Sequence, residues 1–183
     1  MHIGYVSSDE EMRTNAALAA VAEAAKREGL ALAGTVQPVD PGGAHEKCNI
    51  VLGLLPDGER RNISLDLGPG ATGCRLDAAA LEEAVMVVHD RLASAQGLIV
   101  NKFGKQEAIG RGLVAAIIEA CDRGLPVLVG VSPQWREAFL AFANGKAIEL
   151  PPEEAHLLDW LRAACPELPN QQAAPLSSLD VHA

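Results

Sequence analysis

The sequence predicts an α/β fold in which a mostly parallel sheet carries helices on both faces and contains one β-hairpin. Short apolar runs of strand length alternate along the chain with longer stretches whose apolar residues recur at helical spacing. The run at residues 98–100 is wholly apolar, as in strands that a parallel sheet buries on both faces. Asp57-Gly58 lies between two extended runs and indicates a hairpin turn.

The elements of the first half follow from apolar spacing and from turn signals. Leu18, Val21 and Ala25 recur at helical spacing, and Gly29 stands where a helix ends on a glycine cap. The turn at residues 56–59 then joins two strands. The predicted elements are a strand at 2–6, a helix at 15–27, and strands at 30–36, 50–55 and 62–67.

The second half continues the alternation of helices and strands. Asp77 is predicted to cap a helix on which Leu81, Val88 and Leu92 form an apolar stripe. Gly124 is predicted to end the second helix of this half. The predicted elements are a helix at 78–95, a strand at 98–100, a helix at 106–122, a strand at 126–131, a helix at 133–143, a strand at 147–150 and a helix at 153–164.

Composition and charge limit the partners that we expect. Fifteen Lys and Arg against 24 Asp and Glu give a formal net charge of −9. This balance argues against nucleic acid and anionic lipid, because both are bound through basic surfaces. No apolar run reaches the roughly 20 residues of a membrane helix, and the first residues lack the pattern of a signal peptide. We therefore expect a soluble, cytoplasmic protein without nucleic acid or membrane partners, and a homo-oligomer is left open.

One domain is expected over residues 1–165, followed by a loosely ordered tail at 166–183. A chain of 183 residues buries about 70% of the surface that its unfolded form exposes, so it needs no disulfide or metal to fold. Pro, Gln, Ser and Ala dominate the last residues, a composition that cannot build a core of its own. The tail is therefore predicted as separate from the domain.

Cysteine and histidine spacing predicts no metal site. The chain has four cysteines without a Cys-x-x-Cys pair, and its five histidines show no ligand spacing. Free, reduced thiols are expected. The sequence requires no cofactor and indicates no catalytic residue. The cysteines are Cys48, Cys74, Cys121 and Cys165.

Three loops are candidates for a ligand site. In open α/β sheets, ligands bind beyond the carboxyl ends of the strands. The predicted elements place residues 7–15, 68–77 and 101–112 at that edge.

The first loop has the position of a phosphate-binding loop without its usual residues. Such a loop has glycines that let backbone N–H groups surround phosphate oxygens, followed by Lys and Ser or Thr. Here the spacing places Arg13 at the lysine and Thr14 at the hydroxyl, whereas Ser7 and Met12 replace the glycines. Three carboxylates, at residues 9–11, lie where the phosphates would be.

A simpler interpretation of the same loop is that it starts a helix. Ser8 or Asp9 would cap that helix, and the acidic residues would complement its dipole. Both interpretations stay open from the sequence. The residues of the degenerate phosphate loop are Ser7, Ser8, Arg13 and Thr14.

The third loop lacks the acid that P-loop enzymes use to hold Mg²⁺ at the end of a buried strand. Asn101 and Lys102 stand in that place. An amide is a poor substitute for a carboxylate beside a divalent cation, and a lysine repels it. The missing acid therefore counts against a metal-dependent reaction.

The blocks 68–77 and 101–112 carry a resemblance to a known family. Asn101-Lys102-Phe103-Gly104-Lys105-x-Glu107 with Gly110-Arg111-Gly112, together with the order of strands and the hairpin, resembles a bacterial family of unknown function, domain-of-unknown-function family 2478, over residues 2–150. That family is similar to THEP-type nucleoside-triphosphatases, whose corresponding loop reads Asp-Glu-x-Gly-Lys-x-Glu. Gly104, Lys105 and Glu107 match this pattern, while Asn101 and Lys102 replace its two acids. The resemblance implies a three-layer P-loop-NTPase-like fold with degenerate motifs and a link to molybdenum metabolism.

Glycines and cations at this edge predict an anion site on an otherwise acidic protein. Successive N–H groups in a glycine-rich turn before a helix attract anions, and Arg75 supplies a forked donor. Lys102, Lys105 and Arg111 come from the neighbouring loop. The alternative is that Arg75 pairs with Asp77 or Glu107 and that the lysines are simply solvated. The candidate anion-binding residues are Gly68, Gly70, Thr72, Gly73, Cys74, Arg75, Lys102, Lys105 and Arg111.

Three functions stay open from the sequence. The first is an accessory protein that binds a small oxyanion, a nucleotide or another phosphorylated ligand without hydrolysing it. The second is a nucleotide-dependent phosphotransferase or hydrolase in which Glu107 acts as base. The third is an oligomeric scaffold without a ligand.

Overall fold

Nine strands and six helices are present in the computed structural model, which describes residues 2–38, 50–65 and 75–166. The predicted tail beyond Pro166 and the glycine-rich loop before Arg75 lie outside these residues. In chain order the elements are β1 His2–Val6, α1 Glu11–Arg27, β2 Leu32–Val36, β3 Val51–Leu55, β4 Glu59–Asn62, β5 Ser64–Leu65, β6 Arg75–Leu76, α2 Ala78–Leu92, β7 Gly97–Phe103, α3 Lys105–Ala108, α4 Val114–Asp122, β8 Pro126–Val131, α5 Arg136–Phe142, β9 Ala147–Glu149 and α6 Glu154–Ala164.

Seven strands form one sheet in the order β4-β3-β2-β7-β8-β1-β9. Strands β2, β7, β8, β1 and β9 run parallel to one another. The hairpin β3–β4 adds two antiparallel strands at the edge next to β2. From β1 the chain continues to β2, which lies on the same side of β1 as β8. From β8 the chain crosses to β9, which lies on the opposite side of β1. This reversal opens a crevice at the carboxyl ends of β1 and β8, where α/β proteins bind ligands. The predicted fold class is confirmed.

The sheet separates two hydrophobic clusters, because successive strand residues point to opposite faces. Leu98 and Val100 of β7 pack with α2, α4 and α5, whereas Ile99 between them packs with α1 and α6. Helices therefore cover both faces of the sheet. No helix within the described ranges combines the length and the apolar character needed to cross a membrane.

Both edges of the seven-stranded sheet are short and polar or interrupted. The hairpin strand β4 has the sequence Glu-Arg-Arg-Asn, and all four residues are exposed. The opposite edge strand β9 has three residues and is followed by Pro151 and Pro152. The central strands β7 and β8, in contrast, are almost entirely buried.

Helix α1 begins earlier than predicted. It starts at Glu11 rather than at residue 15, so the first loop spans only residues 7–10. The predicted cap by Ser8 or Asp9 is wrong, because the N-cap residue is Glu10 and no side chain caps the helix. Ser8 instead accepts the N–H of Glu10 through its hydroxyl oxygen at 3.2 Å. Thr14 consequently lies inside the first turn of the helix.

The hairpin is confirmed, but its second strand ends earlier than predicted. Leu54 pairs with Glu59 and Val51 with Asn62, so the strand covers residues 59–62 and not 62–67. The side-chain oxygen of Asn62 accepts the N–H and the hydroxyl of Ser64, at 2.9 and 2.6 Å. This local turn diverts the chain, and Ser64–Leu65 pairs with Arg75–Leu76 in a separate two-stranded sheet.

The predicted helix at 106–122 is two helices. Gly110 and Gly112 have φ angles of 78° and 59°, in the left-handed region that ends right-handed helices. The N–H of Arg111 donates to the carbonyl of Gln106 at 2.9 Å and closes α3 after one turn. The preceding strand also differs from the prediction, since β7 runs on to Phe103 and includes residues 101–103.

Asp77 caps α2 as predicted, and its replacement tests the size of that contribution. One carboxylate oxygen of Asp77 accepts the N–H groups of Ala79 and Ala80, at 2.9 and 3.1 Å. We expect Asp77→Ala to lower the free energy of unfolding by about 1 kcal/mol, measured by urea denaturation. Asp77→Asn keeps an acceptor and is expected to lose much less. Equal losses in the two variants would contradict the capping role.

Candidate functional site

Two adjoining cavities lie at the carboxyl edge of the parallel strands. The smaller one has a volume of about 300 Å³ and the larger one about 620 Å³. Asn101, Lys102 and Gln134 line both. The two cavities therefore form one cleft, of the size that proteins use for small ligands.

The smaller cavity lies where β1 joins α1, at the position of the predicted phosphate loop. Thr14 lines it, and its side chain is only 6% exposed. Its hydroxyl has no hydrogen-bond partner, which is true of no other fully buried side-chain N or O atom in the described part of the chain. Buried hydroxyls are nearly always paired, because an unpaired one loses its hydration without compensation. The other lining residues are Ser8, Asp9, Asn15, Asn101, Lys102, Gly130, Val131, Ser132, Pro133 and Gln134.

A chain of side-chain hydrogen bonds connects α1 to the ends of β2 and β7. Asn15 donates from Nδ2 to Oε1 of Gln37 at 2.9 Å, and the N–H of Gln37 donates to Oδ1 of Asn101 at 3.0 Å. The N–H of Asn101 donates to the Thr35 hydroxyl at 3.3 Å. Asn101 is buried, and its oxygen therefore orients the backbone at the end of β2.

Gly130, which lines the smaller cavity near the end of β8, permits close packing against β7 and α1. A Cβ atom added there would lie 2.2 Å from the carbonyl oxygen of Asn101 and 2.8 Å from Cδ1 of Leu18. These separations are far below van der Waals contact. Only glycine fits this position, because β7 and α1 approach the backbone of β8 closely from two sides.

The larger cavity combines apolar walls with cationic side chains. Arg75, Lys102 and Lys105 line it, and all three are exposed. Among the described residues Arg75 pairs with neither Asp77, whose carboxylate caps α2, nor Glu107, whose carboxylate accepts backbone N–H groups, so this alternative is wrong. The apolar lining of the larger cavity consists of Ile50, Leu52, Ile63, Leu76, Leu81, Leu113 and Trp135.

Glu107 is buried at the wall of the larger cavity, where its carboxylate holds the backbone. Oε2 accepts the N–H of Gly104 at 3.0 Å, and Oε1 accepts the N–H of Leu113 at 3.3 Å. A Cβ atom on Gly112 would lie 2.2 Å from Oε1. Glu107 therefore joins the start of α3 to the start of α4, across the two glycines that separate these helices.

The structure brings together some of the predicted residues and separates others. Ser8 and Thr14, two residues of the predicted degenerate phosphate loop, line the smaller cavity, and Ser7 does not. Arg13 forms an ion pair with Glu153 at 3.1 Å, away from the cleft. Arg111 lines neither cavity. The other predicted anion-binding residues lie outside the described residues: Gly68, Gly70, Thr72, Gly73 and Cys74.

Sequence reasoning missed the contribution of two further strand ends. Gln37 follows β2, and Ser132 and Gln134 follow β8. The rule that ligands bind beyond the carboxyl ends of strands applies to these ends as well. No sequence pattern identifies Asn15, because its contact with Gln37 depends on the packing of α1 against the sheet.

The described part of the chain contains neither a metal-binding cluster nor a cysteine with a lowered pKa. No group of three or more His, Cys, Asp or Glu side chains is arranged there to hold a metal ion. Cys121 and Cys165 are free thiols. Burial raises the pKa of the Cys121 thiol and raises the pKa of Cys165 to about 11, so both stay protonated and weakly nucleophilic at neutral pH.

Similarity to known proteins covers most of the described residues. The family described as "Protein of unknown function (DUF2478)" matches residues 3–160. The "Molybdenum import ATP-binding protein ModC 2" of Bradyrhizobium diazoefficiens is 40% identical over 109 residues, which cover 59% of this chain and 12% of that protein. The chain thus spans only a small part of this relative.

A solved structure has the same fold. The solution structure of a human cancer-related nucleoside triphosphatase superimposes with a TM-score of 0.60 at 16% identity, over 89% of this chain and 96% of that one. At this identity the likeness concerns the fold. It agrees with the three-layer P-loop-NTPase-like architecture that the sequence resemblance implied.

Proposed function

The chain belongs to the DUF2478 family of proteins of unknown function, and from that premise we propose that it binds a phosphorylated or oxyanion ligand in the cleft without hydrolysing it. The observation that carries this proposal is the Thr14 hydroxyl, which is buried, unpaired and part of the wall of the smaller cavity. An anion oxygen at that position would accept its hydrogen bond. Hydrogen bonds to charged groups are the stronger ones.

The charges around the cleft support an anionic ligand. Arg75, Lys102 and Lys105 line the cleft of a protein whose formal net charge is −9. Asp9 and Glu107 are the carboxylates that line it among the described residues. A locally cationic cleft concentrates anions even on an acidic protein.

The relatives make a nucleotide or a molybdenum-related oxyanion sensible first ligands. One relative is named as an ATP-binding protein of molybdenum import, and the fold is that of a nucleoside triphosphatase. We propose an accessory role next to such a system. Molybdate and ATP therefore belong in the first set of ligands to be tested.

Several contacts favour binding over hydrolysis. Asn101, at the place where P-loop enzymes carry an acid for Mg²⁺, accepts the N–H of Gln37, and Lys102 stands beside it. Residues of this kind do not fit Mg²⁺. Both oxygens of Glu107 accept backbone N–H groups, which leaves this carboxylate poorly placed to act as a general base.

A melting-temperature panel tests the proposal. We would measure unfolding with ATP, GTP, phosphate, sulfate, molybdate and tungstate, each with and without Mg²⁺. A ligand at 100 times its dissociation constant stabilises by about 2.7 kcal/mol. Lys102→Ala should abolish the shift, whereas Lys146→Ala, an exposed lysine outside the cleft, should keep it. Flat curves for every anion would overturn the proposal and favour a scaffold.

Nucleotide turnover in the same samples would favour the enzyme instead. Asp9 is exposed and lines the smaller cavity, so Asp9→Asn is the variant to compare. Phosphate release that depends on Asp9 would contradict binding without hydrolysis. We expect no release above the background of protein-free buffer.

Thr14→Val is expected to raise the stability of the free protein while it weakens ligand binding. Removing a buried, unpaired hydroxyl should raise the free energy of unfolding by about 1 kcal/mol. The affinity for the stabilising anion should fall about tenfold, which corresponds to about 1.4 kcal/mol. Denaturation and calorimetric titration measure the two effects.

Thr35→Val is the matched control for stability. Thr35 is equally buried, but its hydroxyl accepts the N–H of Asn101. Its replacement should therefore destabilise the protein by about 1 kcal/mol. If Thr14→Val destabilised the protein as Thr35→Val does, the Thr14 hydroxyl would have a structural partner and the argument for a ligand would fail.

A further inference from the structure

The larger cavity has apolar walls, with which a small inorganic anion would form no favourable contact. Its wall contains apolar side chains from β3, α2 and the turn after β8, among them Leu52, Leu81 and Trp135. A tetrahedral oxyanion has no apolar surface to cover, and it would fill little of about 620 Å³. Pockets with apolar walls and a few charged groups bind organic molecules that combine both characters.

We infer that the larger cavity binds the ring-bearing part of an organic anion, so that the ligand is a phosphate ester of a flat, apolar ring system rather than a bare oxyanion. This inference rests on the proposed function, because the phosphate would lie in the smaller cavity near Thr14. Lys102 lines both cavities and would lie beside the ester linkage. Arg75 and Lys105 would border the ring.

Trp135 is the side chain best suited to contact the ring. It ends the short 3₁₀ turn Pro133–Trp135 directly after β8, and it packs against the hydrophobic cluster that contains α2 and α5. Its position is therefore fixed while part of its surface lines the cavity. Aromatic side chains bind flat rings through stacked or edge-to-face contacts.

The second tryptophan lines neither cavity. Trp160, on α6, belongs to the cluster on the opposite face of the sheet, beside Gly4 and Leu150. The chain contains two tryptophans. In a Trp160→Phe background, tryptophan fluorescence would thus report on Trp135 and on the larger cavity.

Matched ligands can separate the phosphate from the ring. We would titrate the Trp160→Phe protein with phenyl phosphate, AMP, ribose 5-phosphate and inorganic phosphate, and follow fluorescence and calorimetric heat. Phenyl phosphate and AMP have a flat aromatic ring and are called the ring-bearing esters here. We expect these two ligands to change the emission of Trp135. They should also bind at least tenfold more tightly than ribose 5-phosphate and inorganic phosphate.

Variants of each cavity should affect the ligands differently. Trp135→Leu, or Leu76→Ala in the apolar wall where the tryptophan variant fails to fold, should weaken the ring-bearing esters at least fivefold and leave inorganic phosphate unchanged. Thr14→Val should weaken all four ligands. Lys146→Ala should weaken none.

The outcomes separate this inference from the proposed function. Equal affinity for phosphate and phenyl phosphate, unchanged by Trp135→Leu and Leu76→Ala, would overturn the inference and leave an oxyanion-binding protein. Ring-bearing esters that bind without sensitivity to Thr14→Val would overturn the assignment of the phosphate to the smaller cavity. No binding of any phosphate compound would overturn the inference, whereas the proposed function fails only if molybdate, tungstate and sulfate also leave the melting temperature unchanged.

Discussion

Replacing Gly34 by alanine is expected to lower the free energy of unfolding by about 4 kcal/mol, near the upper end of what single substitutions cost. Gly34 lies in β2, between β3 and β7, with a φ angle of 121°. A Cβ atom there would lie 1.8 Å from the carbonyl oxygen of Ile99. The alanine would have to adopt an unfavourable backbone conformation and also push two central strands apart.

Gly29 supplies the control for Gly34. It also has a positive φ angle, of 77°, but an added Cβ atom would meet nothing within 4 Å. Gly29→Ala should therefore cost only the left-handed conformation, about 1 kcal/mol. Urea denaturation of both variants measures the difference. Similar losses would mean that backbone strain alone, and not the approach of β7, requires glycine in β2.

Replacing Glu107 by alanine is expected to cost about 3 kcal/mol of stability, since two backbone N–H groups lose a charged acceptor inside the protein. These are the N–H groups of Gly104 and Leu113. Their loss should loosen the segment between α3 and α4 and so disturb the larger cavity. Chemical denaturation and hydrogen exchange at Leu113 measure both effects.

Glu107→Gln separates this structural role from a catalytic one. The amide keeps one acceptor oxygen and presents an NH₂ group to the other N–H. We therefore expect an intermediate loss of about 1.5 kcal/mol. A general base would behave differently, because Glu107→Gln would then abolish turnover without a loss of stability. That result would contradict the role described for this carboxylate and favour the hydrolase.

The order of strands and helices could be predicted from the sequence, but their arrangement in the sheet could not. Apolar runs such as residues 98–100 identify a buried strand through local pattern alone. The position of β1 between β8 and β9 depends on pairing between residues far apart in the chain. Local pattern contains no information on that pairing.

Errors within the elements have local physical causes. Gly110 and Gly112 end α3 after one turn, although the apolar spacing continues through them. The Asn62 side chain turns the hairpin strand aside. In both places, hydrogen bonding and backbone conformation outweigh the apolar periodicity from which the elements were predicted.

Part of the candidate site could also be predicted from the sequence. Lys102, Lys105 and Arg75 were found because cations near strand ends are visible in the sequence. Thr14 was predicted as the hydroxyl of a degenerate phosphate loop, but its lack of a hydrogen-bond partner is recognised only when its surroundings are known. Arg111 was included by its proximity in sequence, yet the turn between α3 and α4 carries it away from both cavities.

The composition of the sheet edges has a consequence for self-association. Exposed edge strands can pair with another chain and start aggregation, and charged or very short edge strands resist this. Strand β4 presents Glu59, Arg60 and Arg61 along one edge, and β9 offers three residues before Pro151 at the other. Neither edge is suited to continue the sheet into a neighbouring molecule. Strand pairing across these two edges would therefore not be the way in which copies of this chain associate.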